Sequence, residues 1–495
     1  MLKKVVCFSA ALFLCGFVFS ENTVIESAAD ESVIDNQEKI VFNEQVLETK
    51  DKKHFLMAFS GTLASNLVIG SYNRFVTKSS WAQVTFDDIC RPWEREVKFD
   101  RDWYWTNFVL HPYQGGLYHL SARNSNLNFY EGLFFTTLGS AMWEYCFELN
   151  APSTNDLVYT SIGGSVVGEM LYRLSIESDS IAPLAGFVIN PLKHLTKTII
   201  GFKPQATRGN IKELSIRTGF SAARAYASLS SDFETYRGET FKDSGETFPA
   251  SICADFSVVY GNPYGHYSNK PYSQFELSIG GAFGKGSGSA LQKWQEKIMW
   301  DVFITSNGML FSRPIEGENT ETSIGMVLDY DFRWHTFMML STLSPGFCIK
   351  QKINFEKSDF QWQFHGDVCL LATTELYYYN RNLVDTDAYL SSEYSYCFGP
   401  EIVLYTQWNA KSGHKLFCNL KALALYDFKN QKQAFGSTGW EYLCFLTGGY
   451  EFALNENISL GVEDELYLKE SVYASLPDVF SVMNTGKFFV RFSFL

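Results

Sequence analysis

The sequence predicts a mainly β fold: a transmembrane antiparallel β-barrel of about 12 strands preceded by a small α-helical module. Three observations predict it. Aromatic residues make up 16 % of the 495-residue chain and charged residues only 19 %. The C-terminal half alternates apolar and polar residues in run after run, the period of a strand with two unlike faces. The chain also ends in KFFVRFSFL, an alternating strand with Phe488, Val490, Phe492 and Phe494 on one face.

Composition narrows the choice further. The net charge is -13, which makes the chain a poor candidate for nucleic-acid binding, and no nucleic-acid partner is expected. High aromatic content excludes a disordered chain. A mean hydropathy near zero excludes a polytopic helical membrane protein.

The N-terminus reads MLKKVVCFSAALFLCGFVFS. Lys3 and Lys4, an apolar core, and Val18 and Ser20 before Glu21 make residues 1–20 a secretory signal peptide. Residues 21–50 are acidic with no sustained apolar face and read as a flexible leader. Eight cysteines remain after the signal peptide, widely spaced and without C-x-x-C, so neither a zinc site nor a disulfide framework is expected.

Residues 51–205 carry helical patterns. Phe129–Leu149 reads as one helix, with Gly132, Thr136, Ser140 and Glu144 in a stripe four apart. Ser153 opens S-T-N-D, a capping pattern with Asp156, and residues 153–174 read as a second helix with Thr160, Gly164 and Gly168 in a stripe. Two small-residue stripes predict a close-packed hairpin over 129–174. His54, Glu144, Asn155, Asp156 and Glu169 form its polar cluster. They fit helix capping and buried hydrogen bonds, or a metal or acid–base site. The preceding segment 102–132, with His111, Tyr113, His119 and Arg123 around Pro112 and Gly115-Gly116, reads as a shaped loop. No spacing marks a metal or a cofactor.

Gly201, Pro204 and Gly209 mark the boundary to the barrel at 210–495. Candidate strands lie near 212–226, 250–260, 273–283, 296–304, 322–334, 338–353, 359–378, 394–408, 414–428, 439–453, 457–469 and 486–494. Connections near 284–295 and 429–438 read as short, and those near 227–249 and 379–393 as long. Asp301, Asp329, Asp331, Arg333, Gln361, Gln363, His365, Asp367, Lys421 and Asp427 fall on the polar, inward face.

TNFVLHPYQGGLYHLSARN, then GSAMWEY, then PSTNDLVYTSIGGSVVGEMLYRLS resembles the bacterial family called domain of unknown function 3943, over residues 102–176. GNPYGHYSNKPYSQFEL at 261–277 is similar to an early barrel segment of that family. The resemblance implies an outer-membrane protein and brings no activity. DKKHF at 51–55, Glu144 and S-x-x-D…G-G at 153–164 resemble the pattern of VanZ-like helical proteins. The final strand resembles the signal read by barrel-assembly machinery, except that Leu495 follows Phe494.

The expected role is a non-enzymatic outer-membrane barrel that supports the envelope, binds a lipid or small molecule, or takes part in transport, with the helical module plugging or capping it. Outer-membrane lipids and the barrel-assembly machinery are its expected partners, and no cofactor is expected. One alternative is a lipid-modifying enzyme of phospholipase or deacylase type, built on Ser312 in NGMLFSR and on His266. Another is a surface adhesin.

Overall fold

Alternating strands with one apolar face bury their backbone polar groups only by pairing on both edges, and closure does this for every strand. The computed structural model shows that closure. It describes residues 52–90, 95–179, 183–202, 204, 206–288, 298–385, 393–427 and 439–494. The expected signal peptide and leader lie outside the described residues, as do most of 284–295 and 429–438.

Twelve strands form a closed antiparallel barrel in sequence order, with β1 pairing β12. They are β1 Ile211–Glu234, β2 Thr240–Tyr260, β3 Phe275–Gly288, β4 Met299–Gly317, β5 Thr320–His335 and β6 Met339–Asn354. The ring continues with β7 Ser358–Glu375, β8 Tyr394–Ala410, β9 His414–Asp427, β10 Trp440–Ala453, β11 Ile458–Val472 and β12 Val479–Ser493. The ambiguous stretch 305–313 continues β4. Segment 227–249, expected as a long loop, is instead a hairpin of β1 and β2. Its small residues Ala225 and Ala227 face inward, where a crowded lumen favours them.

Ion pairs that cross the ring fix which face is inside. Arg333 on β5 pairs with Glu465 on β11, and Lys421 on β9 pairs with Asp331 on β5. So Asp329, Asp331, Arg333 and His335 of β5 point inward, and Leu328, Tyr330, Phe332 and Trp334 point outward. The lumen is filled rather than open at this level. Arg217 holds Asp255 and Glu463 at 2.8 and 2.9 Å, and Lys487 holds Glu463 at 2.7 Å. From one end the helical turn Tyr377–Asn380 and the chain after it fold in. Tyr377, Tyr378, Leu383 and Val384 pack there against Ala225, Phe248, Leu425 and Met483. Arg381 reaches Glu246 at 3.4 Å.

The helical module does not plug this barrel; it leans on the outside wall. Outward Tyr330 and Phe332 are each 1 % exposed, whereas outward Phe220 and Phe488 across the ring are 66 and 51 % exposed. The covering residues are Tyr104, Trp105, Phe108, Phe129, Tyr159, Val166, Met170 and Leu174. They form one core with outward Val258, Tyr260, Leu277, Tyr330, Leu343, Leu371 and Tyr396. The footprint runs obliquely, from the β2–β3 end of the barrel to the β7–β8 end. A module with an apolar barrel-facing side has no reason to enter a lumen lined with charge.

Four helices cross the barrel height. They are α1 Phe55–Ser71, α2 His111–Arg123, α3 Phe129–Cys146 and α4 Gly164–Ser178. Thr154–Val158 and a π-helical turn, Tyr159–Gly163, lead into α4, and a similar turn, Thr106–Leu110, leads into α2. The expected loop at 102–132 is thus largely helix. Pro112 follows the helical turn Thr106–Leu110 directly, and the Phe108 carbonyl four residues back, which a proline cannot serve, accepts from Tyr330 Oη. Gly115 and Gly116 are the crossing point of α4, because a Cβ on Gly115 would lie 1.8 Å from the Thr160 carbonyl oxygen. The stripe Thr160, Gly164 and Gly168 therefore packs chiefly on α2. The 129–149 helix, expected as its close partner, meets it through Thr136 Oγ1 and Ser165 Oγ at 2.9 Å.

The first helix is built inside out. Ala58, Thr62, Asn66 and Gly70 are buried, while Phe55, Leu56, Phe59, Leu67 and Val68 are exposed. Asn66 Nδ2 donates to the Gly139 carbonyl at 3.1 Å. A helix that hides its small and polar stripe and shows its apolar side matches hydrocarbon surroundings. With the turn that follows, Phe55–Val76 is long and apolar enough to cross a membrane.

Candidate functional site at the helix–barrel interface

Two polar clusters sit at opposite ends of the bundle. The residues singled out in the sequence are divided between them.

At the β7–β8 end, the chain entering α2 and the turn leading to α4 meet the rim of β8. Asn155 Nδ2 donates to Asp100 Oδ1 and to Asp156 Oδ1, each at 2.9 Å. Asn107 Nδ2 donates to the same Asp100 oxygen at 2.6 Å and to Tyr394 Oη at 2.8 Å. Glu144 Oε2 accepts from the Ser153 N–H at 2.7 Å, and Ser153 caps the following helical turn through Asp156. His111 Nε2 stands 3.7 Å from Asp156 Oδ2, and its Nδ1 is 3.3 Å from Thr160 Oγ1. In the loops beside these groups, burial and then the charge of Asp100 push Asp102 up to about 6. Burial, with Asp102 next, pushes Glu148 up to about 7. Carboxyls gathered this way share protons and tie the helix ends to the barrel rim.

At the β2–β3 end the arrangement is built on one buried acid. Glu169 takes Arg123 Nε at 2.8 Å, Arg173 Nε at 2.9 Å and His119 Nε2 at 3.0 Å. Arg123 also lies over the Tyr172 ring, 4.5 Å from its centre. Arg173 donates to the Pro271 carbonyl in the β2–β3 connection at 2.7 Å. A cavity of about 130 Å³ opens here, lined by Arg123, Phe129, Tyr130, Glu169, Arg173 and Lys270 among others. Three cations around one carboxylate give it a positive balance.

The structure thus separates Glu169 from Glu144, Asn155 and Asp156, and it brings His119 and Arg123 to Glu169. His111 goes to the other cluster. His54 belongs to neither; its N–H donates to the Ser125 carbonyl at the start of α1. Tyr113 points outward and is 41 % exposed. Sequence reasoning missed Arg173 and Lys270. The four-residue spacing of Glu169 and Arg173 on one helix was the available signal. Ser312 and His266 do come together, but Ser312 Oγ donates to the His266 carbonyl at 2.9 Å rather than to its ring. That is a strand-to-loop tether.

Residues 96–192 match the model of the family described as Domain of unknown function (DUF3943). No curated protein matches the chain. Among solved structures, a FadL homologue of Pseudomonas aeruginosa is similar at 8 % identity and a TM-score of 0.25, covering 57 % of this chain and 90 % of that one. An outer membrane channel from Pseudomonas putida F1 is similar at 10 % identity and a TM-score of 0.28, covering 57 and 96 %. The transport unit of the Escherichia coli autotransporter AIDA-I stands at 10 % and 0.25, covering 57 and 91 %. At these scores nothing follows beyond the strand pairing itself.

Proposed function

We propose that this chain is an outer-membrane barrel that binds an anionic lipid on its outer wall, at the end of the bundle beside the β2–β3 connection. The observation that carries this reading is the cavity ringed by Arg123, Arg173 and Lys270 next to outward Tyr130 and Phe134. The cations suit a phosphate or other anionic headgroup. The exposed aromatic side chains suit the acyl region beside it. This end carries the barrel termini and the short turns 318–319, 355–357 and 411–413, features that support a periplasmic position in the proposed outer-membrane barrel. A lumen crossed by ion pairs argues for work done on the wall rather than through the pore.

The test is lipid binding by the full chain in nanodiscs that contain either phosphatidylglycerol or phosphatidylcholine alone. Tighter protein–lipid association with the anionic lipid is expected, weakened about tenfold by Lys270→Glu. Equal retention of both lipids by native mass spectrometry would sink the reading.

A further inference from the structure

We infer that the barrel lumen holds a divalent metal site made by Asp329, His365 and Asp367, suited to a first-row ion such as Zn²⁺ or Mn²⁺. One ligand atom from each residue lies within 4.8 Å of the others, and all three residues are buried. His365 and Asp367 are two apart on β7 and share the inward face. Asp329 reaches them from β5, across the intervening β6.

The local backbone makes that meeting possible. β7 carries a bulge between Asp367 and Leu371, where its three residues stand opposite two on β6 between Gly346 and Leu343. A Cβ on Gly346 would fall 1.6 Å from Asp367 Oδ1, so the carboxylate lies over a position that only glycine leaves open. His365 is oriented by a 2.9 Å contact between its Nδ1 and Asp329 Oδ2.

What remains around these groups is unsatisfied. Among the described residues, Asp329 Oδ1, His365 Nε2 and both oxygens of Asp367 are buried without a hydrogen-bond partner. His365 is 0 % exposed and Asp367 3 %. Buried carboxylate oxygens normally have partners, and an isolated pair of such acids beside a bare imidazole nitrogen is costly. The nearby cations are engaged elsewhere: Lys421 with Asp331 and Glu401, and Lys350 with Glu276 and Asn307. Acids outnumber cations here, and a dication would offset the excess. One imidazole and two carboxylates are the donor types of zinc and manganese sites with water in the remaining positions.

The experiment uses the full chain in detergent without a polyhistidine tag, stripped with chelator, dialysed against Zn²⁺ or Mn²⁺ and assayed for bound metal by mass spectrometry. One equivalent is expected. Asp367→Asn and His365→Gln should each weaken binding at least about tenfold, and Asp464→Asn on the outer face of β11 should not. Faster migration of unboiled protein on gels verifies that each variant is closed. Co²⁺ titrated into the wild-type chain gives a reading that needs no variant, since ligation by the imidazole and carboxylates produces visible absorption. No bound metal in the wild type, or equal retention by D367N and H365Q, would overturn the site.

Discussion

Arg333 on β5 meets Glu465 on β11 at 2.7 Å, although these strands stand on opposite sides of the twelve-strand ring. The same guanidinium holds Asp301 at 2.9 Å. A side chain that touches both walls braces the barrel and narrows it. The wild-type protein should therefore give no steady conductance steps in planar bilayers. Arg333→Ala leaves two buried acids facing each other and should cost about 3 kcal/mol of barrel stability, read as earlier loss of the gel shift on heating. Steady nanosiemens steps from the pure wild type would contradict the braced lumen.

The crossing of α2 and α4 depends on Gly115. Gly115→Ala should destabilise the bundle by about 1–3 kcal/mol. Limited proteolysis is expected to cut within 96–178 in the variant while the barrel keeps its heat-dependent migration. Unchanged protection of the helices would mean the crossing has slack.

Tyr330 Oη donates to the Phe108 carbonyl and joins the barrel wall to the turn entering α2. Tyr330→Phe leaves that buried carbonyl without its donor, at a cost of about 1–3 kcal/mol. Hydrogen exchange in 104–110 should quicken with the strands unaffected. An unaltered exchange pattern would show that aromatic packing alone holds the contact.

Asp102 and Glu148 sit at about 6 and about 7, both raised by burial. An acid raised on folding contributes stability at low pH and loses it as pH climbs through the raised value. The loops at 100–103 and 147–153 should thus be best protected below about pH 4 and loosen between about pH 4 and 7. Exchange rates corrected for intrinsic pH dependence measure this. Protection that rises over the same interval would reverse the sign and refute the assignment.

All twelve strands were legible in the sequence, because period-two alternation survives wherever one wall is charged and the other apolar. Asp329, Asp331 and Arg333 against Leu328, Tyr330 and Phe332 show it plainly. The same alternation concealed the bundle's position, since an outward Tyr330 looks alike whether lipid or a helix covers it. Segment 102–132 read as a loop because Pro112 and Gly115-Gly116 break helices in isolation; here a barrel tyrosine serves the carbonyl the proline leaves free and the glycines admit a neighbour. The polar residues were visible, but their grouping was not. Glu144 and Glu169 belong to different helices, and only the packing decides which end each one reaches. The proposed metal site needed the β7 bulge, which no residue pattern announces.

The pairings that dock the bundle span long stretches of chain. Phe108 waits for Tyr330, 222 positions later, and Asn107 for Tyr394, 287 positions later. The helices emerge first and are finished last. Until β5 through β8 exist, the aromatic side of the bundle has nothing to rest on, and the apolar side of α1 is uncovered as well. Contacts this distant make for slow maturation and a sticky intermediate. The order of synthesis and the order of completion run in opposite directions.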